Sequence, residues 1–148
     1  MKLKVSEIIR LASVFGRYRE YPDKVLGIYI SDGLRAIEGI MKEVDHIGGK
    51  YDRIGTDIQS LQERHSKVEG DRRVFVPYDE YESDIVKIRE FHGWSEEQES
   101  KDRKKFEKLL NQEREVEIGM ISFDALPDTM NSIDIEMLKP VMGEVNEL

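Results

Sequence analysis

The stretch from Leu26 to Val68 constrains the fold more than any other part of the chain. Its apolar residues recur alternately three and four positions apart, interrupted only at Gly33 and His65. A 3.5-residue repeat held for about six heptads is typical of a coiled-coil seam, and at 1.5 Å per residue its helix would span roughly 65 Å. We therefore expect a long helix that serves as a spine. The seam comprises Leu26, Ile30, Ile37, Ile40, Val44, Ile47, Tyr51, Ile54, Ile58, Leu61 and Val68.

The flanking residues predict where this helix begins and ends. Ser6 is the expected N-cap of a short first helix, which should end at Tyr21-Pro22 because the residue before a proline avoids helical geometry. Beyond the long helix, Glu69–Arg73 combines glycine and charge with no apolar period, which predicts a turn. Val74–Val76 is a short apolar run stopped by a proline, and it predicts an extended arm.

The rest of the chain predicts a helical return and a short strand. Gly93 is the expected stop of a third helix, and Ser95 with Gln98 has the form of a capping box that begins a fourth. After Glu113 the helical spacing gives way to alternation of apolar and polar residues, which is the pattern of a strand. The apolar positions of that strand are Val116, Ile118 and Met120.

These elements predict a mainly α protein of one domain. Its expected form is an elongated antiparallel helical hairpin or coiled coil, with a short N-terminal helix and a small extended (β) segment near the C-terminus. The expected segments are a short helix over 1–20, a long helix over 23–68, a turn and extended arm over 69–77, return helices over 78–113 with a break at 93–95, and a strand plus short helices over 114–148.

Six glycines interrupt the long helix, and each costs about 1 kcal/mol relative to alanine in a helix interior. Close approach of another helix, or a kink at Gly48-Gly49, would explain them; tolerated surface glycines with no role are an equal alternative. The six are Gly27, Gly33, Gly39, Gly48, Gly49 and Gly55.

Composition narrows the possible partners. The formal net charge is −8, which disfavours non-specific binding to a phosphate backbone. The chain has no cysteine, which excludes disulfides, thiolate metal sites and a thiol nucleophile. No run approaches the ~20 apolar residues of a membrane span, and the charged N-terminus leaves no room for a signal core. A cytosolic protein is expected, with no membrane association.

No constellation of catalytic, cofactor-binding or metal-ligating residues stands out. Asp45-His46 has no matching ligand pair one helical turn away, no two histidines flank a glutamate in a zincin pattern, and the scattered serines have no histidine or lysine placed to activate them. The best basic cluster, Lys101–Lys105, lacks the interleaved aromatics of a base-stacking platform and pairs with acids one helical turn away. We therefore expect a protein that is not an enzyme, needs no cofactor or metal, and does not bind nucleic acid.

Folding the return helices back on the spine leaves part of the seam opposite polar residues. Buried charges without partners are unfavourable, so either the fourth helix swings away at Gly93 or another element covers the seam. The first helix, the tail or a second copy of the chain could supply that cover. The opposed residues are Val44, Ile47 and Tyr51 on the spine, and Ser95, Glu99 and Asp102 on the return.

This region is the expected partner or self-association surface. Trp94, at the helix break, either plugs the bend or forms a binding hot spot. The 115–121 strand could add to the sheet edge of a partner through its backbone. The residues expected to contact a partner are Val44, Ile47, Tyr51, Phe75, Trp94, Val116, Ile118 and Met120.

The order of segments resembles an uncharacterised family of small helical proteins from tailed phages and prophages, a domain of unknown function. The most specific part of the resemblance is the stretch Glu115–Leu126, preceded by Leu109–Glu113 and followed by an Ile135–Leu138 ending. The spine glycines and Gly93-Trp94 depart from the family pattern. The resemblance implies a phage setting, and hence the cytoplasm of the host bacterium or the virion, and it transfers no functional residue.

We therefore expect a phage-encoded, non-enzymatic module that binds a host or phage protein. It would act in virion morphogenesis or by binding and inhibiting a host (defence) protein. The alternative is an acidic nucleic-acid mimic that blocks a DNA- or RNA-binding host enzyme, whose binding would be sensitive to salt. A third possibility, DNA binding through Arg72, Arg73 and Lys101–Lys105, predicts a salt-dependent gel shift that we do not expect.

Overall fold

A computed structural model describes residues 1–143 of the chain, and these are mainly helical, as expected. Three short 3₁₀ helices occur at Tyr78–Tyr81, Phe123–Ala125 and Lys139–Val141. The remaining elements are β1 (Lys2–Lys4), α1 (Val5–Tyr18), α2 (Lys24–His65), β2 (Lys67–Glu69), β3 (Arg72–Val74), α3 (Glu82–Phe91), α4 (Glu96–Leu110), β4 (Glu113–Glu115) and α5 (Ser132–Leu138). The long helix, the short first helix and the break in the return are therefore confirmed.

The chain divides into two compact units, and α2 contributes residues to both. Unit 1 contains Met1–Glu43 and the chain from Glu107 onward, and unit 2 contains Val44–Phe106. The expectation of a single domain stays a prediction.

In unit 1, α1 packs on the first part of α2 around Phe15. The face of α1 that carries Ile8, Leu11 and Phe15 is buried, as its three-four spacing predicts. A Cβ on Gly33 would lie 2.7 Å from Cε2 of Phe15, so the absence of a side chain lets the ring lie against α2. Of the two explanations for the spine glycines, close approach is correct at Gly33.

The start of α1 differs from the prediction. The helix begins at Val5 rather than after Ser6, and the Glu7 carboxylate accepts the Lys4 N–H at 3.0 Å. Ser6 is not the N-cap, because β1 pairs with β4 up to Lys4 and the Val5 N–H donates to the Gln112 carbonyl. Sheet pairing therefore decides where the helix begins.

A buried carboxylate ties α5 to α1. Asp134 is 2% exposed, and it accepts hydrogen bonds from the Arg17 guanidinium and, at 3.0 Å, from the Tyr18 hydroxyl. Burial and the bond to Asp134 raise the pKa of Tyr18. The Asn131 side chain caps the helix by accepting the Asp134 N–H at 2.8 Å. Both partners of this charge lie on the last turn of α1, so α5 is positioned by an ion pair as well as by apolar packing.

The strand expected over 115–121 lies earlier in the chain. β4 pairs antiparallel with β1 in the register Lys4↔Glu113, Leu3↔Arg114 and Lys2↔Glu115, and beyond this register the Val116 N–H donates to the Met1 carbonyl at 2.9 Å. The alternation at Val116 and Ile118 belongs instead to an extended segment whose apolar side chains enter the core. Alternation reports which side of the chain is buried, whereas a strand also needs a neighbouring backbone, and β1 supplies three residues of it.

Unit 2 is an antiparallel helical hairpin. Gly48 lies against Phe106, Tyr51 bonds Asp102, and His65 stacks on Tyr81. The residue numbers of the partners fall as those of α2 rise, which is the order expected of antiparallel helices. A small core closes the far end: Leu61, Tyr81 and Ile85 are buried, with Ile58, Val76 and Ile88 packed around them. Gly48 and Gly49 lie inside a continuous helix, and the Phe106 ring lies 3.2 Å from where a Gly48 Cβ would be.

The turn of unit 2 corrects two expected boundaries. α2 ends at His65 instead of Val68, and Lys67–Glu69 pairs with Arg72–Val74 as a β-hairpin. The last seam residue, Val68, is 70% exposed in β2. Gly70, with φ 62, provides the turn between the strands, so local hairpin pairing replaces the final helical turn. The return also ends earlier than expected, at Leu110 instead of Glu113.

Candidate protein-interaction surface

The bend between α3 and α4 is built around Gly93. This residue has φ 65, and its N–H donates to the Glu90 carbonyl at 3.0 Å, while the Trp94 N–H donates to the Arg89 carbonyl at 2.8 Å. These two bonds form a Schellman motif, which satisfies the last carbonyls of α3 and requires a left-handed residue at the position of Gly93. The bend is therefore a rigid feature that fixes the side chains on either side of it.

Arg89, Phe91 and Trp94 flank this bend, and we call these three residues together the bend surface. Phe91 is 85% exposed, and its ring forms a T-shaped pair with the ring of His92 at a centroid distance of 5.2 Å. Trp94 is half-buried, with the Arg89 guanidinium 4.6 Å from the centre of its ring. Its indole N–H donates to the Glu99 carboxylate at 2.8 Å. An exposed phenylalanine at a bend that also carries a fixed tryptophan and an arginine gives a composition enriched in protein-binding hot spots.

The geometry of Trp94 is compatible with both explanations, plugging the bend and forming a hot spot. The ring is stacked and hydrogen-bonded, so it does stabilise the bend. The ring is only partly buried, so part of it remains open to solvent. Because its rotamer is held by Arg89 and Glu99, little side-chain entropy remains to be lost on binding.

Tyr51 provides a hydrogen-bond partner for Asp102, one of the polar residues expected opposite the seam. Its hydroxyl donates to Asp102 Oδ2 at 2.5 Å, and Gln98 Nε2 donates to Asp102 Oδ1 at 2.9 Å. The Tyr51 bond, opposed by burial, lowers the pKa of Asp102, while burial and the same bond raise the pKa of Tyr51 to about 12. The seam itself therefore supplies the partner of this charge, and α4 remains against α2 here.

The other predicted contact residues of unit 2 differ in accessibility. Val44 and Ile47 are half-buried on α2. Phe75 lies just after β3 and is 57% exposed. Val68 at 70% and Val74 at 44% are further exposed apolar side chains of the β2–β3 hairpin. Tyr51 and Trp94 both contact acids of α4, so the structure brings these two near the same helix, while Phe75 belongs to the hairpin.

The predicted contact residues of unit 1 do not form one surface. Val116 and Ile118 are 3% and 7% exposed and belong to the core, so their side chains could reach a partner only if the unit opened. Met120 is 53% exposed. The Gly119 carbonyl beside it accepts the Tyr29 hydroxyl at 2.8 Å, which holds the segment against α2.

Sequence reasoning missed Phe91 and Arg89. The three-four series of the third helix runs through Tyr81, Ile85 and Ile88, and its next position is His92, which bonds Asp57 at 2.6 Å. Phe91 lies one position off that series. A large aromatic out of register with the buried face, at the last residue before a glycine stop, was the available signal.

Other polar groups of unit 2 form local pairs. His92 and Asp57 border a shallow cavity of about 270 Å³, whose other lining residues include Asp45, Asp52 and Arg53. Among residues 1–143, no group of three or more histidine or acidic side chains is arranged to hold a metal ion. Over the same residues, no helix combines the length and apolar character needed to cross a bilayer.

Comparisons with protein-family profiles, with curated proteins and with solved structures gave no match to this chain.

Proposed function

We propose that this chain is a phage-encoded, non-enzymatic helical module that binds another protein. It acts in virion morphogenesis, or by binding and inhibiting a host defence protein in the bacterial cytoplasm. The phage setting rests on the segment order and on the Glu115–Leu126 stretch. The binding role rests on the bend surface.

The observation that carries the binding role is Phe91. A side chain that is 85% exposed makes almost no contribution to the stability of its own fold, yet its burial by a partner would contribute about 1.5–3 kcal/mol. Arg89 and Trp94, which flank the same bend, are held in place by their own contacts, so a partner that reaches them gains contact area without ordering them. The bend surface therefore combines an exposed aromatic anchor, Phe91, with a tryptophan and an arginine that stack on each other.

The test is a nuclease-treated pull-down from phage-infected cells with the full chain as bait, and identification of bound proteins by mass. Recovery of capsid or tail proteins supports a role in assembly, and recovery of one stoichiometric host protein supports an inhibitor. Phe91→Ser should weaken the recovered interaction about tenfold or more, by loss of the apolar anchor. Val86→Ser, on the same helix and 46% exposed, is the matched control and should bind like the parent chain.

The same experiment separates the acidic-mimic alternative. A mimic would lose its partner as salt rises and when acidic side chains are neutralised, and it would be indifferent to Phe91→Ser. Binding that survives Phe91→Ser and Trp94→Ala but disappears in high salt would overturn the bend surface as the recognition site.

A further inference from the structure

The β2–β3 hairpin has a free outer edge on β2. Among residues 1–143 the sheet contains these two strands alone, and Lys67, Val68 and Glu69 are all exposed. Glu69 and Arg72 flank a two-residue turn, so they form the hydrogen-bonded pair that closes the hairpin. Pair types alternate along an antiparallel ladder, and the N–H and C=O of Val68 therefore point outward, away from β3.

We propose that a second copy of this chain pairs antiparallel with the outer edge of β2, with Val68 on the two-fold axis. In this register the two Val68 residues exchange both of their outward backbone hydrogen bonds. Lys67 of each copy lies opposite Glu69 of the other, so the sequence Lys-Val-Glu is complementary to itself in charge. The product is a four-stranded sheet in the order β3-β2-β2-β3.

The neighbouring registers are excluded by the same charges. The outward N–H and C=O groups occur on every second residue of β2, so only a shift of the second copy by an even number of residues lets those of Val68 form hydrogen bonds. A shift by two residues in one direction places Lys67 opposite Lys67, and a shift in the other direction places Glu69 opposite Glu69. Like charges directly opposite destabilise a ladder, so β2 selects one register.

The outer edge of β3 does not offer the same match. Its outward-pointing residue is Arg73, and pairing centred there would bring two guanidinium groups face to face. Arg73 is also held by Ser66, whose hydroxyl accepts from it at 3.1 Å. Charged residues on sheet edges usually prevent association. The outer edge of β3 is therefore blocked, whereas the outer edge of β2 can pair with β2 of a second copy of the chain.

Lys67 and Glu69 are available for this role. In the part of the chain that the structure describes, neither has an ion-pair partner. Val68 is 70% exposed and would be covered by its counterpart. Because the surface differs from the bend surface, loss of self-pairing leaves the test with Phe91→Ser unaffected, and the reverse also holds.

The first experiment is sedimentation equilibrium of the full chain and three variants over a wide concentration range. The parent chain should show a monomer–dimer equilibrium. Lys67→Glu and Glu69→Lys should each weaken dimerisation about tenfold or more, because each places two like-charge pairs in the interface. The double variant Lys67→Glu/Glu69→Lys restores complementarity and should return to the parent affinity.

A strictly monomeric parent chain overturns the proposal. So does a dimer that ignores the single reversals, because its interface then lies elsewhere. Lys67, Val68 and Glu69 are all exposed, so circular dichroism should show an unchanged fold for each variant.

The second experiment uses the absence of cysteine in the chain. Val68→Cys places two thiols roughly 5 Å apart across the axis, within reach of a short bis-thiol cross-linker. Val74→Cys, also exposed, is the matched control, because three strand spacings of roughly 4.8 Å separate the two β3 strands. Rapid dimer formation by Val68→Cys but not by Val74→Cys is expected. Equal rates for both would overturn the register.

Discussion

Substitution of Gly33 by alanine tests whether a single ring determines how α1 packs on α2. The new Cβ would lie 2.7 Å from Cε2 and 3.2 Å from Cζ of Phe15, whereas carbon atoms in contact normally stand ≈ 3.5–4.0 Å apart. Phe15 is 1% exposed, with Tyr29 packed on it edge-on at 5.9 Å, so the ring cannot move aside without displacing its neighbours.

The expected magnitude is the difference between two opposing effects. Overpacking a core costs about 1–3 kcal/mol, and replacement of glycine by alanine in a helix gains about 1 kcal/mol. Gly33→Ala should therefore change the free energy of unfolding by about 0 to −2 kcal/mol. Gly39→Ala is the control: Gly39 is exposed on the same helix with nothing within 4 Å of its Cβ position, so this variant should be stabilised by about 1 kcal/mol.

The assay is urea unfolding followed by circular dichroism, with a double-mutant cycle between positions 15 and 33. In a Phe15→Leu background the outer ring atoms are absent, so Gly33→Ala should cost at least about 1 kcal/mol less than in the parent chain. Equal stabilisation by Gly33→Ala and Gly39→Ala, or a coupling energy of zero, would refute the close-approach argument.

Two further predictions concern unit 2. Ile85 is fully buried between Leu61 and Tyr81, so Ile85→Ala should destabilise the chain by about 2–4 kcal/mol in urea unfolding, whereas Val86→Ala, 46% exposed, should change stability by less than about 0.5 kcal/mol. The pKa of Tyr51 is raised from 10.0 to about 12, so between these pH values the folded state holds a proton that the unfolded state releases, and stability falls as pH rises. The pKa of Tyr29 is raised to about 12 as well, so Tyr51→Phe should reduce the loss of stability per pH unit above pH 10 without abolishing it. An unchanged dependence of unfolding free energy on pH would contradict the Tyr51–Asp102 assignment.

The bend between α3 and α4 could be predicted because its signals are local. Gly93 accommodates the left-handed turn, and the Ser95 hydroxyl accepts the Gln98 N–H at 3.2 Å to cap α4. The reciprocal half of the capping box was not formed as predicted. The Gln98 side chain donates to Asp102 instead, because the charge opposite the seam competes for it.

The partner of a segment could not be predicted in the same way. Gly33 and Gly39 are the same residue in the same helix, and only the position of Phe15 distinguishes them. Phe91 and Ile88 are both apolar residues of α3, and only the packing of unit 2 leaves the former 85% exposed.

The sequence by itself determined α2, the break at Gly93 and the mainly helical class, because helical periodicity, capping and left-handed glycine are properties of residues close together in the chain. Tertiary structure decided that β4 begins at Glu113 and that Asp134 is buried against Arg17. Each of these depends on which distant backbone or charge lies alongside. Pairing free energy comes from two segments at once, and a periodicity in one segment contains no information about the other.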